Sequence, residues 1–568
     1  MNKKIFYLSM ASVFLLSLAF RFWGLGRFNT LVFDEVYYAK FGNNYLTNTP
    51  FFDGHPPLGK YIIAIGIWIA NHIPFLQNQV NGLTGSVMSP ISYRWINAFS
   101  GSFIPVIVGA IAYQISYRRS FAFLAALFAA CDGIFLVESR YALINQYIVI
   151  FGLLGQLCLI LALAKQHLRR TFWLVISGVA FGASCATKWN GLWFLLGAYL
   201  MWIIAWGNRW LQSFHLKRVK SNEQSQDEFV HHHAQNNSVE IESQETSVLP
   251  LSLTSLPIGK RKTKYINPYR LEAKPTPLKK LTQLNIFQIL FFLGIIPAIV
   301  YSLIWIPHLH LDTRYGFVEV HKQILGFHER LGNSSKIHPY CSPWYTWPFM
   351  IRPMAYFYQT ATSIKDPIPV IGPPLPTGAG KVIYDVHAMG NPLLWWFGAA
   401  ALLFFLGVLI RQFAKLWIEQ KRFFLSAEFS NETWIVLYFL VNYAANLLPW
   451  VKVNRCLFIY HYMTAVVFAF LAIAWLVDWC IRSYYTQMRA VGLTPTISII
   501  IAFIFWLPIY LGLPLSNFEF RPVRSWAVGV TLTFLIIAAF IFWLPIYLGL
   551  PLSNFEYRPV RMWFNSWI

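Results

Sequence analysis

Two adjacent carboxylates, Asp34 and Glu35, lie in the stretch LVFDEVYYAKFGNNYLTNTPFFDGHPPLGK, residues 31–60, directly after an apolar segment of membrane length. A carboxylate in such a place can accept the proton of an attacking hydroxyl, because an alcohol is a poor nucleophile until its proton has somewhere to go. It can also cap a helix. Asp34 precedes EVYYAKFGNNYL, an amphipathic pattern, and an Asp N-cap accepts backbone N–H bonds. The two roles are compatible, since a carboxylate fixed at a helix start is a preorganised base. Glu35 reads either as a support for Asp34 or as a solvated first-turn acid that complements the helix dipole. The triplet His55-Pro56-Pro57 is stiff, because each proline fixes its own φ and restricts the residue before it. It holds His55 at a set distance from a short helix beginning near Gly59, although a lone histidine is more often structural.

Further ionisable residues fall at the ends of apolar spans on the same side. Arg94 begins the second span, Glu138 and Arg140 sit between the third and fourth, and Lys188 follows the fifth. Arg455 precedes the tenth span with His461 just inside it, and Glu319, His321, His328 and His338 belong to an outer loop. Each of Arg140, Lys188 and Arg455 could simply snorkel into headgroups. Several cations converging beneath a carboxylate pair instead describe a site for an anionic lipid phosphate. Such a site suits transfer of a group from a lipid-phosphate donor to an acceptor on the water side.

The elements that must position these residues are membrane spans. Of 568 residues 57% are hydrophobic and 12% charged, which is far too apolar for a soluble protein of this length. The net charge of +22 comes from short clusters between spans, the pattern of lipid-facing and cytoplasmic anchors and not of nucleic-acid binding. Apolar segments of about 20 residues stand near 5–23, 95–116, 121–138, 142–164, 171–187, 190–207, 284–305, 392–411, 432–450, 456–478, 493–513 and 526–549. The shorter YIIAIGIWIA at 61–70 fits an interfacial helix, and leaving it uncrossed puts Arg118-Arg119, the 165–170 cluster and Arg411 to Arg422 inside. Met1-Asn2-Lys3-Lys4 and the apolar run after it read as an uncleaved first span, since no small-x-small cleavage site follows.

Three regions are expected: an N-terminal membrane module, 1–207, with a catalytic first outer loop at 24–94; a basic, disordered cytoplasmic insert, 208–283; and a C-terminal membrane module, 284–568. The third includes an extracytoplasmic loop, 306–391, rich in Trp, Tyr, Pro and His. The triple histidine at 231–233 is incidental in such an insert. FIFWLPIYLGLPLSNFEFRPVR at 503–524 returns at 540–561 with one residue changed, a tandem duplication and not a solenoid. Cys131, Cys158, Cys185, Cys341, Cys456 and Cys480 show neither zinc spacing nor a disulfide framework and read as apolar fillers.

Taken in order, these motifs resemble the protein O-mannosyltransferases. The likeness runs from FDEVYYAKFGNNYL and FFDGHPPLGK through YRWINAFSG, ESRYALINQ, GVAFGASCATKWNGLWF, HPYCSPWYTWPFMIRP and MGNPLLWW to RCLFIYHY, and omits only the insert and the duplicated tail. The resemblance implies an all-α polytopic membrane protein of GT-C glycosyltransferase fold, with about 11–12 transmembrane helices and interfacial helices in the first outer loop. It implies inverting transfer of mannose from a polyprenyl (dolichyl-type) phosphate to Ser or Thr hydroxyls of exported proteins. The implied partners are thus a lipid-linked donor, an acceptor polypeptide, the bilayer and the secretion translocon, with no cofactor and no metal. Carried onto this chain, Asp34 is the base, Glu35 supports it, and Arg140 holds the donor phosphate. Lys188 and Arg455 help bind that phosphate, while His55, Arg94, Glu138 and His461 position substrates. Where many members read Ser-Arg-x-x-Leu-Leu-Asp, this chain has Ser139-Arg140-Tyr141-Ala142-Leu143-Ile144-Asn145, an amide for a carboxylate. The 306–391 loop is too short for the β-trefoil of eukaryotic members, which implies a bacterial-type enzyme whose active site faces the outside of the inner membrane. A transferase acting on a glycolipid or glycan is the nearest alternative. A flippase or transporter fits less well, because no inverted repeat accompanies the one-sided polar residues.

Overall fold

A computed structural model describes residues 1–74, 88–236, 275–332, 338–363, 365–371, 380–420, 429–517 and 519. The chain opens with the span α1 (Lys3–Phe22), then α2 (Glu35–Leu46) and α3 (Leu58–Asn71) in the first outer loop. Helices α4 (Pro90–Gly101), α5 (Ile104–Ser116), α6 (Arg119–Ala130), α7 (Gly133–Arg140), α8 (Asn145–Ala164), α9 (His167–Thr187) and α10 (Leu192–Asn236) follow. Next, α11 (Ile286–Leu290) passes through a π turn into α12 (Ile296–Leu311), and α13 (Phe317–Arg330) lies beyond it. The last helices are α14 (Pro392–Gln420), α15 (Asn431–Leu447), α16 (Met463–Ile481) and α17 (Thr486–Leu511).

Among the described residues nine helices are long and apolar enough to cross a membrane, and a bent pair makes ten. The helix α9 has span length but opens His167-Leu168-Arg169-Arg170, which lowers its apolar content. The expected interfacial segment at 61–70 is the short apolar helix α3. The last expected span, 526–549, and the second repeat copy lie outside the described residues. Helix α16 is apolar almost all round and 83% of its core window is buried, which makes it the hub against which α6, α14, α15 and α17 pack.

Two expectations change. The single span at 121–138 is two helices, α6 and α7, bent by 58°. Asp132 makes the break: its carboxylate caps α7 by accepting from Phe135 N (3.1 Å), and it also accepts from Asn391 N (3.1 Å) and Trp395 Nε1 (2.7 Å). The boundary at 207 does not end a helix, since α10 continues to Asn236; the rest of the expected disordered insert up to residue 274 lies outside the described residues. The mostly helical fold, as expected, also carries one small sheet among the described residues. An antiparallel sheet of β1 (Met354–Ala361), β2 (Val382–Ala388) and β3 (Pro514–Ser516) sits in the order β1-β2-β3, with Thr360 opposite Ile383 and Val382 opposite Ser516. Its third strand comes from the first copy of the repeat, which Trp506, buried, and Tyr510, whose hydroxyl donates to Gly390 O (3.0 Å), hold against the bundle.

Close helix contact brings the first outer loop over the bundle. A Cβ on Gly101 would stand 2.3 Å from Ser139 Cβ, so only glycine lets α4 approach α7 this closely. Gly59 likewise lets the start of α3 rest on Ile144, where a Cβ would meet Cγ2 at 2.7 Å.

Candidate active site

The loop before α2 ends in a strained turn. Phe33 has φ +53°, a left-handed conformation that costs a bulky side chain roughly 1–3 kcal/mol. Stacking of its ring on Tyr356 of β1, with centroids 4.3 Å apart and planes at 13°, offsets part of that cost. The next residue, Asp34, is helical (φ −68°, ψ −1°), and its side chain makes no capping bond. The expected N-cap role is therefore not realised, because capping needs the extended backbone that the turn at Phe33 has already spent. Among the described residues the half-buried Asp34 carboxylate has no hydrogen-bond or ion-pair partner. Burial pushes its pKa up to about 7, against the pull of the Lys188 ammonium and with the help of the Asp53 carboxylate.

Glu35 has the opposite fate. It is fully buried, and its two oxygens accept from Arg94 Nε and Nη2, each at 2.8 Å, from Val32 N (2.8 Å) and from Ala142 N (2.8 Å). Arg94, equally buried, also donates to the carbonyls of Leu25 (3.2 Å), Phe28 (2.8 Å) and Thr30 (2.7 Å). This bidentate pair ties the first outer loop to α4 and to the turn after α7, and it leaves neither partner with a free face. The alternative of Glu35 as a solvated first-turn acid does not hold, since a carboxylate offered a buried guanidinium stays inside.

Arg140, 2% exposed, is not among the residues that line the cavity of Lys188 and Arg455. Its Nη1 donates to the carbonyls of Phe20 (2.6 Å), Arg21 (3.2 Å) and Trp23 (2.7 Å), closing the C-terminus of α1 as a cation does at the negative end of a helix dipole. Lys188 and Arg455, in contrast, meet at one cavity of about 490 Å³. Gly54, His55, Trp189, Trp193, His328, Trp450 and Lys452 line the rest of it. Lys188 Nζ is bonded to Asn145 Oδ1 (3.1 Å) and lies 5.3 Å from the Tyr460 ring centre. Among the described residues Arg455 donates only weakly, to Cys456 O at 3.4 Å. Burial, with Arg455 close by, pushes the Lys188 ammonium down to about 8, and burial also lowers Arg455. His55 and His328, 5.4 Å apart between ring centres, are both shifted down by burial and by these cations, His328 to about 4. The histidines are therefore neutral near pH 7, and the positive charge belongs to Lys188, Arg455 and Lys452. Asp34 does not line this cavity; Lys188, which acts on Asp34 and also forms part of the cavity wall, links the two.

Glu138 is buried and accepts from the Tyr356 hydroxyl and from Asn145 Nδ2 at 3.2 and 3.3 Å. His461 is enclosed by Trp347, Trp450 and Tyr460, with Nδ1 on the backbone of Phe458. Two contributors were not singled out in the sequence. Asp53 accepts from the buried Lys60 ammonium, which also donates to His55 O (2.7 Å) and so fixes the histidine-proline loop. A disulfide joins Cys341 to Cys456 across 115 residues, against the expectation of six unpaired fillers, and ties the outer loop to the residue after Arg455. The other four cysteines are free and buried. Among the described residues no three His, Cys, Asp or Glu side chains converge as a metal site would require.

A polytopic helical bundle with a carboxylate and a cationic cavity at one end is the architecture of a GT-C membrane glycosyltransferase. In overall fold it is similar to the yeast (S. cerevisiae) protein O-mannosyltransferase Pmt1-Pmt2 complex bound to the sugar donor, with a TM-score of 0.64 over 92% of each chain at 14% identity. Residues 11–239 match the dolichyl-phosphate-mannose-protein mannosyltransferase family, and residues 314–527 match the C-terminal four-helix membrane region of protein O-mannosyltransferases. The chain belongs to this mannosyltransferase family, and it is a multi-pass integral membrane enzyme. Among its relatives, the polyprenol-phosphate-mannose–protein mannosyltransferase of Mycolicibacterium smegmatis is 24% identical over 86% of this chain and 85% of its own length. Protein O-mannosyltransferase 1 of Drosophila pseudoobscura pseudoobscura is 31% identical over 34% of this chain and 21% of its own.

Proposed function

We propose that this enzyme moves mannose from a polyprenyl-phosphate carrier to Ser or Thr hydroxyls of exported proteins, with Asp34 as the base. The observation that carries this reading is the carboxylate of Asp34, free of any partner among the described residues, under the pull of the Lys188 ammonium, which shares a cavity wall with Arg455. As the acceptor oxygen attacks the anomeric carbon, its proton passes to Asp34, and the bond to the phosphate oxygen breaks on the opposite face. The leaving phosphate needs a cation more than an acid, and Lys188 and Arg455 supply it. A base with pKa about 7 is matched to work near neutral pH. The Glu35–Arg94 pair holds the loop that carries Asp34, and Arg140 braces α1 beneath it. His55 stands at the cavity wall, while Glu138 and His461 act through Lys188 and the aromatic floor.

The Cys341–Cys456 disulfide supports an active site on the oxidising, extracytoplasmic face, which in a bacterium is the outer side of the inner membrane. An acceptor chain would reach that face as it leaves the secretion translocon. The test is mannose transfer from polyprenyl-phosphate-mannose to a Ser/Thr-rich peptide by the purified full chain and its Asp34→Asn variant. We expect kcat to fall by roughly 10²- to 10⁴-fold with the donor KM little changed. A fully active Asp34→Asn enzyme would remove Asp34 from the mechanism.

A further inference from the structure

Lys188, Asn145 and Glu138 form one buried chain of side chains. Asn145 is the first residue of α8. Its Oδ1 accepts from Lys188 Nζ at 3.1 Å, while its Nδ2 faces both Glu138 oxygens at 3.2 and 3.3 Å. Chemistry fixes this orientation: an ammonium has only donors, so it must meet the amide oxygen, and the carboxylate then meets the amide nitrogen. Asn145 and Glu138 are 6% and 0% exposed, so no solvent relieves a mismatch at either contact.

We infer that Asn145 is a positioning residue that keeps the Lys188 charge available to the donor phosphate. The inference rests on the assignment of Lys188 to that phosphate. Three features of the chain carry it. An unsupported lysine has a flexible four-carbon stem, and Asn145 on one side with the Tyr460 ring on the other hold its head at the cavity. The bridge is neutral, so it fixes the ammonium without pairing it. It also occupies a buried carboxylate: Glu138 takes its donors from Asn145 and Tyr356 instead of closing a contact ion pair with Lys188. In a site of low effective dielectric an ion pair within the protein would compete directly with an incoming phosphate.

Two substitutions separate the amide's shape from its polarity. Asn145→Asp keeps the shape and puts a carboxylate on Lys188, and Asn145→Leu removes both hydrogen bonds. In the full-length enzyme we expect either to raise the KM for polyprenyl-phosphate-mannose by about tenfold or more, the scale of one hydrogen bond to a charged group, and to lower kcat, since the leaving phosphate uses the same cation, with the peptide KM nearly unchanged. In a Lys188→Gln background neither should add a further increase, whereas a merely structural role would add its full cost. The near-isosteric Asn145→Asp keeps the test open should Asn145→Leu fail to fold. If Lys188→Gln raises the donor KM but Asn145→Asp does not, the role of Asn145 is overturned and that of Lys188 stands. If Lys188→Gln leaves the donor KM unchanged, the assignment of Lys188 fails, and the role of Asn145 falls with it.

Discussion

The two ends of the helix bundle use the same kinds of residues differently. At the end away from the outer loops, Arg118 pairs with Glu432 (3.1 Å) and Asp478 (3.6 Å) and lies 4.2 Å from the Trp475 ring centre. Arg482 approaches the same aspartate at 3.9 Å, and Ser120 donates to it. Every charge in that group has an opposite charge in contact. At the other end Glu35–Arg94 and Asp53–Lys60 are closed in the same way, but among the described residues Asp34, Lys188 and Arg455 are left without an ion-pair partner. Closed ion groups hold helices together, whereas the open ones are the groups that the proposed reaction uses.

The contrast can be broken at several points. The largest effect should come from Arg94→Met, which leaves a buried carboxylate unpaired: a stability loss of about 3–5 kcal/mol, read as a lower melting temperature in detergent. Wild-type stability in that variant would show that the clasp does not hold the loop. Next is the pH profile of kcat/KM. Asp34 acts as a base only when ionised, so below its pKa of about 7 the rate should fall about tenfold per pH unit. Lys188 binds phosphate best when charged, so the profile should turn down again above about 8. These two limbs belong to an interacting pair: in Lys188→Gln the upper limb should disappear and the lower limb should move to higher pH, because the ammonium that favours ionised Asp34 is gone. Reduction of Cys341–Cys456, or Ser at both positions, loosens the segment that carries Arg455 and should raise the donor KM by roughly tenfold, with little change in kcat. The smallest effect should be that of Glu432→Gln, the exposed partner of Arg118 at the closed end: kcat unaltered and about 1 kcal/mol of stability lost or less. A large loss of activity there would deny that the two ends differ in kind.

Some of this was legible in the residues and some was not. The spans were readable because apolar runs of membrane length have few other uses, and α3 was readable as too short to cross. The bend at Asp132 was hidden, because its cause is an acceptor for Asn391 and Trp395, more than 250 residues away. The sheet was hidden for the same reason, since β3 is three residues of a sequence that otherwise reads as the end of a span. At the site, the importance of an Asp-Glu pair was plain, but not which member was free.

By itself the sequence determined the membrane architecture and the family to which the chain belongs, since these depend on composition and on local order along the chain. Only the tertiary structure decided that Glu35 is spent on Arg94 while Asp34 stays open. It likewise decided that Arg140 braces α1 while Lys188 and Arg455 share a cavity, and that Cys341 reaches Cys456. The physical reason is that a charge becomes structural or chemical according to whether a distant part of the chain brings it a partner, and distance along the sequence does not record that.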